Sequence, residues 1–202
     1  MHNVFISYHH TNDQWYKEEL LRMNSVHNIF RDGSVDVGDI SDGLSDEAIR
    51  TKIRDEYLRD TSVTILLVGL ETWGRKHIDW ELYSSMFDGS VNKKSGILVI
   101  NLPSVACTNC TASHAGEKET IHPEHTSWMS IDERAEYERR YPLMPSRIID
   151  NLLKKGAKIS VVPWEKIHNK PANLNFLING AHSDRAISEY DLSRSMRRND
   201  AG

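Results

Sequence analysis

The sequence predicts an α/β domain built on a central parallel sheet with helices on both faces. Three observations predict it. Short, almost wholly apolar runs read as strands buried on both sides. Stretches with apolar residues at helical spacing lie between them. The two kinds alternate along the chain.

The first run is Val4-Phe5-Ile6-Ser7-Tyr8, β-branched and aromatic, and reads as a strand. Polar residues follow, with Asn12 or Thr11 suited to cap a helix and Asp13 suited to its positive end. Trp15, Leu20, Leu21 and Met23 supply that helix's apolar face. From Arg31 to Gly43 the chain is rich in Gly and Asp. Val35 and Val37 alternate with acids there and suggest a short edge strand in a long exposed loop. Ser45 caps a second helix, with Asp46 and Glu47 in its first turn and a stripe of Ile49, Ile53, Tyr57 and Leu58. Val63 to Val68, ended by Gly69, is the strongest central-strand candidate. A loop from Leu70 to Lys76 leads into a helix from Ile78 to Phe87, and Gly96 to Ile100 is another buried strand. Residues 103–145 are irregular and polar, with one helical piece around Ile131 to Tyr141, and read as an insertion. Pro145 or Ser146 starts a helix through Leu153, Lys158 to Val162 forms the last strand, and a helix is expected over Leu174 to Ile178. The polar tail 193–202 is expected to fray, leaving residues 1–192 as a single domain.

Composition sets the outer limits. A chain of 202 residues fits one domain, and 39% hydrophobic with 27% charged residues is a globular mixture. A net charge of −4 gives no basic face for a nucleic acid. No apolar run approaches the ~20 residues that cross a bilayer, and no secretory signal opens the chain. The expectation is a cytoplasmic protein with no membrane and no nucleic-acid partner, its two cysteines reduced.

In open parallel sheets, ligands bind beyond the carboxyl ends of the strands, near a switch in strand order. That points to Ser7 to His10, to Gly69 to His77, and to Asn101 onward. Two of these segments carry a resemblance. Val4 to Tyr8 followed by Asp13 resembles the opening strand and helix of TIR domains. Asp60 to Gly69, then Trp73 and Lys76-His77-Ile78-Asp79-Trp80-Glu81, resembles the third strand and third helix of the bacterial TIR-like branch, and Phe30-Arg31-Asp32-Gly33-Ser34 fits the same branch. Within it the chain is most similar to the TIR-like subunit of the Thoeris anti-phage defence system. The resemblance covers roughly residues 1–101 and implies a flavodoxin-like, TIR-like sheet. Catalytic TIR domains usually place Trp four residues before their glutamate. Here His77 holds that place, and Trp80 stands beside Glu81.

The resemblance implies an NAD glycohydrolase or cyclase with Glu81 as the catalytic carboxylate. NAD is then a substrate, with no cofactor. In Thoeris the product is a cyclic ADP-ribose isomer that activates a partner effector. The chemistry is reasonable for a single glutamate. Ordinary glycosidases use two carboxylates, one of them to protonate the leaving oxygen. Nicotinamide is already cationic and leaves neutral, so no general acid is required. A carboxylate gains value as positive charge develops on the ribose in a water-poor site. Ser7 and Tyr8 are expected to wall the site, Trp73 to stack on an aromatic ring, Arg75 to meet a phosphate, and His77 to share the helix face of Glu81. Arg31 and Ser34 lie in the long acidic loop, a candidate lid.

Competing readings are distinct. An ordinary helix glutamate is just solvated, and many TIR domains are non-catalytic interaction modules that self-associate. A nucleotide sensor would keep the pocket without turnover. An enzyme needs Glu81 to face a dinucleotide-sized cleft, although a defence enzyme held silent before infection is expected to rest closed or unassembled. Cys107-x-x-Cys110 with His114, His122 and His125 has part of a zinc pattern. Cys-x-x-Cys occurs once and the histidines lack finger spacing, so no metal is assigned. The chain carries no Walker loop, no G-x-G-x-x-G and no G-x-S-x-G.

Overall fold

The computed structural model describes residues 1–33 and 43–201. In chain order its elements are β1 (Asn3–Ser7), α1 (His10–His27), β2 (Arg31–Asp32), α2 (Asp46–Lys52), β3 (Val63–Val68), α3 (Lys76–Met86) and β4 (Gly96–Asn101). They continue with α4 (Glu117–Ile121), α5 (Arg134–Arg140), α6 (Ser146–Leu153), β5 (Ile159–Pro163) and α7 (Pro171–Asp184). A π-helical stretch, Ile53–Tyr57, extends α2. Among the described residues no helix is long and apolar enough to cross a membrane.

The five strands form one parallel sheet in the order β2-β1-β3-β4-β5. The order reverses between β1 and β3, and that is the switch point where a crevice opens beyond the strand ends. The central strands are apolar on both faces because both faces are covered. Every residue of β3 is buried, as is every residue of β4. Val4, Ile6, Ile65, Leu67, Leu98 and Ile100 pack with α1 and α7 through Leu20, Leu174, Leu177 and Ile178. Leu66, Val68, Ile97 and Val99 pack with α3, α5 and α6 through Ile78, Leu82, Met86, Tyr137 and Ile148. A third cluster joins Phe5 to Ile49, Ile53, Leu58, Trp80 and Met196. Burial of each such aliphatic side chain contributes ~1.5–3 kcal/mol. Contact on the α7 side is so close that a Cβ on Gly96 would lie 2.0 Å from the Ala181 carbonyl oxygen.

Several expectations are corrected. Arg31–Asp32 pair with Asn3 and Val4 at the edge of the sheet, where the sequence suggested a loop, and the edge strand expected at Val35 and Val37 lies outside the described residues. The α1 cap is His9, whose Nδ1 accepts the Asn12 backbone N–H at 3.2 Å, so an imidazole does what a short polar side chain was expected to do. Trp15 is exposed, because its α1 face meets only the rim near Tyr16 and Trp164. The last helix is far longer than five residues, because Pro171 opens it and the chain runs on to Asp184.

The tail does not fray. Met196 is buried in the third cluster, the Arg197 amide donates to Asp79 Oδ2 at 2.8 Å, and Trp80 Nε1 donates to the Arg197 carbonyl at 2.8 Å. Asp200 Oδ1 accepts the Lys76 amide at 2.8 Å and so caps α3, which has no cap of its own.

Candidate functional site

Strand β1 ends at Ser7, whose side chain shares the sheet face of Phe5, the face that α3 covers. On α3, Glu81 and Ser85 lie one turn apart and both point at the sheet. Ser85 Oγ lies 2.8 Å from Thr64 Oγ1 on β3, and Ser7 Oγ donates to Glu81 Oε2 at 2.6 Å. These two contacts form a polar seam. Apolar walls flank it, with Phe5 and Trp80 on one side and Leu66, Val68 and Leu82 on the other. Glu81 is only 5% exposed as a result. Burial pushes its pKa from the ordinary 4.5 up to about 7, and the Ser7 hydrogen bond opposes that rise. A glutamate poised between its two protonation states at neutral pH, at the switch point of the sheet, is the arrangement expected of a working carboxylate.

A second carboxyl on this edge was read from sequence only as a helix-end charge. Asp13, in the first turn of α1, is 3% exposed, and its Oδ2 has no hydrogen-bond partner. Gly69 makes room for it, since a Cβ there would lie 2.2 Å from Asp13 Oδ2. Burial, then the charge of Glu71, raises its pKa from 3.8 to about 6. The glycine directly after the strongest strand was the signal in the sequence.

The remaining predicted residues scatter. Tyr8 donates its hydroxyl to Gln14 Oε1 at 2.6 Å and stacks on His10, so its ring is committed to the start of α1. Trp73 and Arg75 line a cleft of about 210 Å³ with Asp79, Arg194 and Arg197. Glu81 does not line it, and it is smaller than the ~300–1,000 Å³ usual for a small-molecule site. Arg75 donates to Glu71 at 2.7 Å and to Asp200 at 3.1 Å. Beneath the cleft, Arg147 grips Asp79 through two hydrogen bonds of 2.8 and 2.9 Å. His77 is exposed, with its ring edge-on to Trp80 at 4.9 Å, although it sits one turn before the buried Glu81. Arg31 pairs with Asn3, at the amino end of β1, about four strand residues or ~13 Å from Ser7. Ser34 lies outside the described residues. Glu81 lines none of the cavities that lie around Trp73 and Arg197, His114 and Asp184, Asp150 and Arg194, or Arg54 and Asn92.

The cysteine–histidine pattern also divides. Cys107 Sγ donates to the Arg140 carbonyl, and His114 pairs with Asp184 at 2.8 Å. Cys110, His122 and His125 come together, with ligand atoms all within 4.8 Å of one another.

Comparison with known families bears on the part of the chain that carries this seam. The sequence matches the family described as Thoeris protein ThsB, TIR-like domain, over residues 5–106. That span runs from within β1 through β4 and holds α3 with Glu81. Neither a curated protein nor a solved structure matches the chain. Matched over half its length, and with the sheet order and helix placement that such a domain requires, the chain belongs to the TIR-like domain family of the Thoeris protein ThsB.

Proposed function

We propose that this chain cleaves NAD at the bond between nicotinamide and ribose, with Glu81 as the carboxylate that stabilises the ribosyl cation. The observation that carries this reading is the Ser7–Glu81 pair. It is a buried carboxyl with its pKa raised to about 7, held by a hydroxyl at the β1/β3 switch point. Family membership points to a role in anti-phage defence. Within that role the product is a cyclic ADP-ribose-type nucleotide that activates an effector protein, and NAD is consumed as substrate in the cytoplasm without a separate cofactor.

The chemistry follows from the pair. The nicotinamide ring brings a positive charge to the seam, and that charge favours ionised Glu81, which burial disfavours. Ser7 donates to one carboxylate oxygen and leaves the other for the developing cation at the ribose carbon. Bond cleavage releases neutral nicotinamide and needs no proton. Dry walls such as Trp80 and Leu82 favour an internal nucleophile over water, which is the condition for cyclisation. Glu81 is only 5% exposed, consistent with an enzyme that rests silent.

One observation favours a second reading. Glu81 faces the Ser7 wall instead of a described cavity, as a self-associating interaction module or a nucleotide sensor would tolerate.

Nucleotide chromatography with mass detection separates the two, on extracts of phage-infected cells expressing the wild-type chain or Glu81→Gln. A species lighter than ADP-ribose by the mass of a water molecule, present only with wild type, is the expected result. Protection without any such species in either culture would replace the enzyme with the interaction module.

A further inference from the structure

We propose that Cys110, His122 and His125 bind a single zinc ion, a site independent of the Glu81 seam. The three belong to the cysteine–histidine pattern of the irregular stretch, to which sequence reasoning assigned no metal. Folding converges them. Thr111 makes an antiparallel bridge with Val161, which lays Cys110 along the edge of β5. His122 closes α4, and the turn after it, closed by the His125 amide to the His122 carbonyl at 2.9 Å, brings His125 back to the same point.

The geometry is close to what zinc requires. Zinc bonds of about 2.3 Å to sulfur and 2.0–2.1 Å to nitrogen set tetrahedral ligand atoms about 3.3–3.6 Å apart. Cys110 Sγ already lies 3.3 Å from His125 Nδ1, and the widest separation in the group is within 4.8 Å. His125 is exposed and Cys110 partly so, which leaves both side chains room to adjust around an ion.

A second, independent observation comes from His122. It is completely buried, yet neither ring nitrogen has a hydrogen-bond partner. A buried imidazole left wholly unpaired is costly. Its ring stacks near that of His125, with centroids 5.4 Å apart, and Trp128 lies edge-on to it at 5.5 Å. A metal bond would satisfy one of the two orphaned nitrogens.

The donor set selects the ion. One thiolate and two neutral imidazoles suit zinc better than magnesium or calcium, which prefer oxygen. Binding releases the Cys110 thiol proton to solvent and leaves a fourth tetrahedral position for water. Lys166, the nearby cation, is engaged by the Ile121 carbonyl and by Glu124. The ion would pin the α4 turn to the edge of β5, tying the irregular stretch to the sheet.

The test uses the full chain without an affinity tag, expressed in zinc-supplemented medium and dialysed against zinc-free buffer. Elemental analysis is expected to find about one zinc per chain in wild type and in Cys107→Ser, and at least about a hundredfold weaker zinc binding in Cys110→Ser and His125→Asn, by competition with a chromophoric chelator. Both altered side chains are at least partly exposed, and circular dichroism checks that the variants fold. Cobalt replacing zinc in wild type is expected to give a thiolate-to-cobalt charge-transfer band, a readout that needs no variant. A wild-type chain without that band, or zinc affinity unchanged in folded Cys110→Ser, overturns the site.

Discussion

Replacing Glu81 with Gln keeps the shape of the side chain, and Gln retains an oxygen that can accept the Ser7 hydroxyl, but the charge is gone. The consequence for stability depends on pH, and its sign can be worked out. The folded-state pKa of Glu81 lies at about 7 and the ordinary value is 4.5, so the unfolded chain ionises first as pH rises. Below the ordinary value both states are protonated and Glu81 costs nothing. Between the two values ionisation increasingly favours the unfolded chain, and above the folded pKa the penalty is complete. A difference of 2.5 units between those two values corresponds to about 3 kcal/mol. For a chain of this length that is roughly 6–12 °C in Tm. Thermal melts near pH 4 and near pH 9 read it directly. Glu81→Gln is expected to match wild type at the acidic end and to melt well above it at the alkaline end. A variant that is more stable by the same amount at both ends, or less stable near pH 9, refutes the reasoning, because the carboxyl would then carry no burial penalty. The pairing of a stability gain with a loss of activity is what a strained functional residue shows.

Three further perturbations test the surroundings of the seam. Ser7→Ala removes the one interaction that holds the Glu81 pKa down, so the pH midpoint of the stability difference between wild type and Glu81→Gln, measured again in the Ser7→Ala background, moves upward. Gly69→Ala drives a Cβ to 2.2 Å from Asp13 Oδ2 and is expected to cost about 1–3 kcal/mol in urea unfolding, with most of the loss recovered when Asp13→Gly is added. Arg147→Met strands the Asp79 carboxylate against α6 and frees the carbonyls of Arg194 and Ser195, at a cost of about 3–5 kcal/mol, and the tail becomes open to carboxypeptidase at concentrations that leave wild type intact.

The parts of the fold that could be read from sequence are those where one-dimensional pattern and three-dimensional burial coincide. Val63 to Val68 and Gly96 to Asn101 are uninterrupted apolar runs because they lie in the middle of a two-sided parallel sheet. Ser45 capped its helix as expected, its hydroxyl accepting the Ala48 amide at 3.2 Å. The Ser7–Glu81 contact is of another kind. Both residues could be placed on one edge of the sheet, but their hydrogen bond depends on the β1/β3 register and on the rotation of α3, and neither is encoded locally.

Elements held by isolated long-range bonds escaped notice. Helix α4 is five residues long, too short for periodicity, and stands on buried Glu117, whose Oε2 accepts the Ser113 and His114 amides. The tail carries one buried apolar residue, Met196, in a polar string, and its other anchors are backbone groups, the Asp200 carboxylate, and the guanidinium groups of Arg194 and Arg198, which reach Asp150 and Asp46. Arg54 and Arg147 are almost completely buried, contrary to the usual surface preference of arginine. Arg147 is kept there by a carboxylate partner that no local pattern announces.

The most direct test of the account is nicotinamide release from added NAD by cleared extracts of infected cells, followed across pH for wild type and Glu81→Gln. The account predicts a wild-type rate that rises with pH through about 7, as Glu81 ionises, and a variant slower by about a hundredfold or more. Equal release by the two extracts, or a wild-type rate that falls as pH rises through that range, would contradict it.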